Sequence, residues 1–165
     1  VRLDKRARII DEGGQAYPVD LLRDHTLKQI REKYTDEAGE LTLKVGEEVP
    51  DDVVTIGGRV MFLRNTGKLC FTSLQDGFTE SSNGERLQVM LSKALVGEQA
   101  LAAWKSDVDL GDFVWVKGFV ARSRRGELSV MATEWKMASK ALRPLPTLHK
   151  ELGVATPYAL SLIHI

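Results

Sequence analysis

The sequence predicts an all-β core with added helices, and the main observation is a change of pattern at position 53. From there, five short segments rich in β-branched and aromatic residues are separated by turn-forming residues. An Ala/Leu-rich helical stretch at 93–107 lies between the third and the fourth segment. Three strands, a helix and two strands is the order of the OB-fold, a five-stranded Greek-key barrel. We therefore predict an OB-fold barrel over 53–140, preceded by an N-terminal helical extension.

The N-terminal extension is predicted to contain two short helices. The spacing of apolar residues predicts one helix over 2–12, ended by the glycine pair that follows it. A second helix is predicted to start at Asp24 or Thr26 and to end at about Tyr34, with one apolar stripe among charged residues. Residues 35–52 are acidic and contain glycine, which predicts a linker.

The five predicted strands differ in how clearly their residues alternate. The first contains Gly57 and Gly58, which predict a bulge or a sharp coil. The third alternates cleanly, with Leu87, Val89 and Leu91 on one face. The predicted bounds are 53–64, 68–76 and 86–91 for the first three strands, 112–123 for the fourth and 127–139 for the fifth.

These elements divide the chain into four parts. The helical extension and its linker occupy 1–52, and the barrel occupies 53–140. Pro144 and Pro146 predict an extended connector over 141–153. The last residues, 154–165, are apolar without polar patterning and predict an atypical tail. Because position 1 is valine, we expect the chain to start inside a longer one.

Composition and charge exclude several classes of protein. The chain has 165 residues, of which 43% are hydrophobic and 28% charged, an ordinary globular balance. Its net charge is zero, which argues against a nonspecific polycation, although 111–165 hold eight Lys/Arg against four Asp/Glu. Cys70 is the single cysteine, so no intrachain disulfide can form. The three histidines are scattered and predict no metal site.

One face of the predicted barrel carries residues suited to reading a nucleotide base. Gln88 is predicted to point to the opposite side of the third strand from that strand's apolar residues. Glu127 and Ser129 are likewise predicted to point away from the apolar residues of the fifth strand. The second strand is ambiguous, because both of its faces hold apolar residues; Phe71 alone would be core roughly twice as often as exposed. Together with Arg64, these side chains supply an aromatic ring, an amide, a carboxylate and a cation.

The stretch from 54 to 146 closely resembles the N-terminal anticodon-binding domain of class II lysine–tRNA ligases. The matching pieces are GRVMFLRNTGKLCFTSLQDG, RLQVML, SDVDLGD, RRGELSV and KALRPLP, and the opening VRLDKRARIIDEGGQAYPV is similar to the leading helix and loop of that family. The resemblance covers residues 1 to about 153, and RNTGKLCF and SDVDLGD most resemble actinobacterial members. Some of those members are fused to a membrane module that makes lysyl-phosphatidylglycerol.

The resemblance implies roles at four positions. It implies that Phe71 stacks on the central anticodon uridine and that Arg64 helps to hold that base. It implies that Gln88 reads the uracil edge and that Glu127 contacts a flanking anticodon base. The expected partner is therefore the anticodon loop of tRNA(Lys), whose unstacked bases expose readable edges.

The resemblance also implies what this chain lacks. In the family, a catalytic domain with the ATP-binding arginines, the lysine pocket and the Mg²⁺ carboxylates follows the connector, whereas VATPYALSLIHI stands here. We therefore expect an enzyme as the parent protein, but no catalytic residue and no cofactor in this chain. The resemblance further implies a homodimeric, cytoplasmic parent, membrane-associated only in the bifunctional form, and no membrane contact by this segment.

Basic residues outside the base-reading set are candidates for contacts with the tRNA backbone, since cations bind phosphates without reading sequence. They lie on the first predicted helix, beside the second strand and at the turn between strands four and five: Arg2, Lys5, Arg6, Arg8, Lys68, Arg122, Arg124 and Arg125. Two alternatives stay open, a generic single-strand binder and a protein-interaction fragment. The single platform aromatic and the zero net charge count against the generic binder. Asp107 and Asp109 are interpreted as turn residues.

Overall fold

The computed structural model of the protein describes residues 1–11, 23–77 and 84–141. Two helices precede a five-stranded sheet, and two more lie between its third and fourth strands. The helices are α1 (Arg2–Asp11), α2 (Leu27–Lys33), α3 (Lys93–Val96) and α4 (Glu98–Asp107). The strands are β1 (Glu48–Asn65), β2 (Leu69–Asp76), β3 (Glu85–Ser92), β4 (Phe113–Arg122) and β5 (Leu128–Ser139).

The five strands close into a barrel in the order β1-β2-β3-β5-β4. The β3–β5 pair is parallel and the other pairs are antiparallel, so the barrel joins a β1-β2-β3 meander to a β4-β5 hairpin. Alternate residues of every strand fill its interior, with Ile56, Leu74, Val89, Val116 and Val130 among those that are fully buried. The predicted OB-fold is confirmed.

Helix α2 closes one end of the barrel, and its sequence sets its start. Thr26 caps it: its hydroxyl accepts from the Gln29 backbone N–H, while the Gln29 side chain accepts from the Thr26 N–H. Leu27 and Ile30 are buried in the core of the barrel. The Asp76 carboxylate, at the end of β2, accepts from the Leu27 backbone N–H and pairs with Arg23. None of the helices in the described part of the chain is long and apolar enough to cross a membrane.

The first strand differs from its prediction at both the start and the bulge. It begins at Glu48, so the end of the predicted linker pairs with β4. The bulge predicted at Gly57 and Gly58 is wrong, because the pairing with β4 runs through both glycines and the register with β2 shifts instead between Val60 and Phe62. Gly58 is needed for another reason: a Cβ there would lie 3.0 Å from the Gln75 carbonyl oxygen of β2.

The single helix predicted at 93–107 is two helices, α3 and α4. They meet at Gly97, whose φ of 89° lies in the region that side-chain-bearing residues avoid. After this break, α4 packs on β5 through Trp104, which is fully buried and edge-on to Trp135 at 5.2 Å between ring centroids. The Trp135 indole N–H donates to the Ala100 carbonyl at 2.9 Å.

A buried ion cluster ties the end of β5 to the loop before β4. The Lys140 ammonium, with no exposed side-chain surface, lies 2.5 Å from carboxylate oxygens of both Asp109 and Asp112. Although burial alone would raise it, the pKa of Asp109 is held below its usual value by Lys140 and by Lys5 of α1. Asp109 therefore does more than shape a turn, because it links α1, the loop and the strand end.

Candidate nucleic-acid interface

A bulge in β1 decides which side chains face out of the barrel. Met61 has no partner on β2, because Val60 pairs with Leu74 and Phe62 pairs with Ser73. The extra residue reverses the alternation. Val60 points into the core, and beyond the bulge Phe62 and Arg64 are exposed. Without the extra residue, both side chains would point the same way as Val60.

The outward residues of four strands form two parallel rows across the barrel. Neighbouring members of each row are register partners in the ladders β1–β2, β2–β3 and β3–β5. One row consists of Phe62, Ser73, Gln88 and Ser129, and the other consists of Arg64, Phe71, Met90 and Met131. A groove of about 560 Å³ is lined by Phe62 and Gln88 of the first row and by all four residues of the second.

The second strand, ambiguous in the sequence, presents Phe71 to the groove. Cys70, Thr72 and Leu74 on the same strand are fully buried, whereas Phe71 is half-buried and lines the groove. The Arg64 guanidinium lies 5.6 Å from the centre of the Phe71 ring, a cation–π contact across the β1–β2 pair. The ring and the cation are thus adjacent on the outer surface.

Gln88 lines the same groove from β3, and Glu127 lines it from the turn just before β5. The turn that carries Glu127 is held by Ser123, whose hydroxyl accepts from the Glu127 backbone N–H and whose own N–H donates to the Glu127 carbonyl. Ser129 is fully buried, and its hydroxyl donates to the Glu127 carbonyl at 3.1 Å. All four residues of the base-reading set, Arg64, Phe71, Gln88 and Glu127, therefore meet at one groove.

Of the three basic residues in the β4–β5 turn, one makes hydrogen bonds within the protein and two are exposed cations. Arg122 donates to the carbonyls of Gly126 and Leu43 at 3.0 and 2.8 Å, so it fixes the turn to the segment before β1. Arg124 and Arg125 are exposed at the tip and line the groove. Lys68 is exposed in the turn between β1 and β2 but does not line the groove.

The cations of α1 lie away from the groove. Arg2 donates to the carbonyls of Leu110 and Ala141, and Lys5 pairs with Asp109 at 2.7 Å. Arg6 is half-buried on the same helix, and the side chain of Arg8 lies outside the described residues. Phosphate contacts by α1 stay a prediction that this geometry does not support, because Arg2 and Lys5 bind the protein itself.

Phe62 is a groove residue that the sequence analysis missed. It is 50% exposed and lines the groove beside Phe71, so the groove holds a second phenylalanine that was not predicted there. Strict alternation assigns it to the core side of β1, next to Val60. Only the unpaired Met61 reverses that assignment, and nothing in the local sequence marks Met61 as the bulge position.

Comparison with known proteins agrees with this geometry. Residues 54–138 match the tRNA anti-codon family model, described as an OB-fold nucleic acid binding domain. The chain is 57% identical over 156 residues to the lysine–tRNA ligase of Kineococcus radiotolerans, which covers 94% of this chain and 29% of that protein. It is 51% identical over 153 residues to lysine–tRNA ligase 1 of Mycobacterium tuberculosis H37Rv, covering 93% of this chain and 28% of that protein.

A more distant relative is the lysine–tRNA ligase of Listeria monocytogenes, 36% identical over 146 residues, or 88% of this chain and 27% of that protein. The chain thus spans less than a third of the length of these relatives. The family match runs from within β1 to near the end of β5 and includes every residue of the base-reading set. The chain belongs to the tRNA anti-codon family of OB-fold nucleic acid binding domains.

Proposed function

We propose that this chain recognises the anticodon loop of tRNA(Lys), as the N-terminal domain of a lysine–tRNA ligase. The observation that carries the proposal is the groove in which Arg64, Phe71, Gln88 and Glu127 converge. A groove with an aromatic ring, polar side chains and flanking arginines suits unstacked bases of a single-stranded loop.

Each side chain has a role that its position allows. Phe71 stacks on the central anticodon base, and Arg64, already in contact with that ring, holds the base and its phosphate. Gln88, whose amide both donates and accepts, reads the edge of a uracil. Glu127 accepts a hydrogen bond from a flanking base. Arg124 and Arg125 attract the backbone without reading sequence.

The complete protein is proposed to attach lysine to tRNA with ATP and Mg²⁺, as a cytoplasmic homodimer. Those substrates would bind in a catalytic domain outside this chain, so the chain alone is expected to bind tRNA without aminoacylating it. A test is to incubate the purified chain with lysine, ATP, Mg²⁺ and tRNA(Lys). Binding without formation of lysyl-tRNA is the expected result.

Base identity at the central anticodon position tests the recognition itself. Titrating the chain with lysine anticodon stem-loops that carry uridine or cytidine there should give tighter binding of the uridine version, by about 1–3 kcal/mol. The difference requires that the Gln88 amide keep one orientation, because an amide that turned over would match the donor and acceptor of cytosine as well. Equal affinities would contradict sequence-specific reading and favour a generic single-strand binder.

Arg124 and Arg125 should supply affinity without specificity. Replacing both with glutamine is expected to weaken binding of the uridine and cytidine stem-loops by the same factor. The slope of log affinity against log salt should also become shallower by about 0.7 for each phosphate that the variant no longer neutralises. Lys117→Gln, at an exposed position on β4 outside the groove, is the matched control and should leave the slope unchanged.

A further inference from the structure

We propose that Phe62 forms a second base-stacking platform, which binds the nucleotide next to the one on Phe71. This inference rests on the proposed function, because it adds a subsite to the same groove. Phe62 is 50% exposed, and its ring lines both the main groove and a smaller adjoining cavity of about 150 Å³. A large exposed aromatic ring in a nucleic-acid groove is suited to stacking, since every base has a π-face.

The fold holds Phe62 in this position. The bulge at Met61 interrupts the ladder, and the buried hydroxyl of Thr72 donates to the Phe62 carbonyl at 2.8 Å. The hydrogen bond fixes the backbone just where the alternation reverses. The backbone that carries Phe62 is thus held by β2 at this point.

Phe62 and Phe71 lie on neighbouring strands of the same outer surface. Phe62 pairs with Ser73, so Phe71 is its diagonal neighbour on β2. Diagonal neighbours of this kind lie about 7–8 Å apart. Two bases splayed from a loop could therefore stack on them, one on each ring.

The smaller cavity supplies charge for the nucleotide on Phe62. Phe62, Phe71, Gln88 and Glu127 line both spaces, so the cavity continues the groove. Its far side adds two cations, Arg31 of α2 and Arg86 of β3. The Arg31 guanidinium donates to the Arg86 carbonyl at 2.6 Å, and Arg86 donates to the Gln75 side chain at 3.2 Å. Both guanidinium groups are therefore anchored beside the cavity, and Arg31 is also paired with Glu85 at 3.5 Å. Arg86 has no carboxylate among these contacts, so it is the cation beside which a phosphate of the second nucleotide would lie.

The test couples each ring to one position of the RNA. The 165-residue chain is titrated with a lysine anticodon stem-loop and with versions that are abasic at one loop position each. Phe62→Ala should weaken binding of the intact loop about 5- to 140-fold. Phe62→Leu should lose most of this affinity and Phe62→Tyr should keep it, because only tyrosine retains an aromatic face. Phe113→Ala, a half-exposed phenylalanine outside the groove, is the control and should bind normally.

The abasic loops separate this proposal from the proposed function. The effect of Phe62→Ala should disappear when one base beside the central position is missing, and the effect of Phe71→Ala should disappear when the central base is missing. We call a ring coupled to a base when its replacement no longer weakens binding once that base is missing. Coupling for Phe71 without coupling for Phe62 would overturn the second platform and leave the proposed function standing. Absence of coupling for both rings would overturn the two together, and so would normal binding by Phe62→Ala and Phe71→Ala alike.

Discussion

Replacing Asp112 with alanine is expected to lower the free energy of unfolding by about 3–5 kcal/mol, because the change leaves a buried ammonium without one of its two carboxylates. The Asp112 carboxylate is fully buried and accepts from Lys140, from the Asp109 backbone N–H and from the Ala141 backbone N–H. Urea denaturation of the chain measures the loss. Asp51→Ala, at an exposed aspartate, should change stability by less than about 0.5 kcal/mol.

A double variant distinguishes lost charge pairing from lost packing. Adding Lys140→Met to Asp112→Ala removes the buried ammonium that has lost one of its two carboxylates, so part of the lost stability should return. Asp109 would still have Lys5 as a partner. If the double variant were as unstable as the sum of the two single variants, the cluster would not act as a charge pair, and ordinary packing would explain the effect.

Leu74→Ala is expected to cost about 2–5 kcal/mol of stability, because the fully buried side chain leaves a cavity inside the barrel. Phe71→Ala, three residues earlier on the same strand, should cost much less, since its ring lies on the outer surface. For RNA binding, the order of the two variants should be the opposite. Phe71→Ala should weaken anticodon stem-loop binding by about 1–3 kcal/mol, whereas folded Leu74→Ala should bind nearly normally.

Chemical denaturation beside an RNA titration, carried out on both variants, checks this pair. Each variant serves as the control for the other, because both truncate a large apolar side chain of β2. A large stability loss for Phe71→Ala with a small one for Leu74→Ala would mean that the two faces of β2 are assigned the wrong way round. The stacking role of Phe71 would then have to be abandoned.

The order of the elements could be predicted from the sequence because each barrel strand carries its own local signal. Alternation of apolar residues and turn-forming glycines identified five strands and the helical stretch, and the pairing follows the known order of the OB-fold. The extension of β1 to Glu48 could not be predicted, because this edge is set by pairing with β4 and not by local composition. The break at Gly97 was missed because a single glycine within a helical pattern is often tolerated.

The site was predictable only in part, for a related reason. The position of Gln88 follows from its parity on β3, and Glu127 directly precedes the buried Leu128 that starts β5. The positions of Phe62 and Arg64 depend on one unpaired residue in the ladder between β1 and β2. Lys140 was missed because its carboxylate partners precede it by about 30 positions, and only barrel closure brings them together. The positions of side chains that depend on long-range strand pairing cannot be predicted from the alternation of neighbouring residues.

Because β3 and β5 pair in parallel, the groove is complete only after two separate parts of the barrel have come together. Phe62, Phe71 and Gln88 belong to the β1-β2-β3 meander. Glu127, Arg124 and Arg125 belong to the β4-β5 hairpin. The groove therefore spans the seam, the line along which β3 of one unit pairs with β5 of the other. Neither unit holds a complete site before the seam closes. Because RNA would bind only the closed form, it should stabilise that form by mass action. Bound RNA would then hold β3 and β5 together, and amide hydrogen exchange of these two strands should slow when RNA is added.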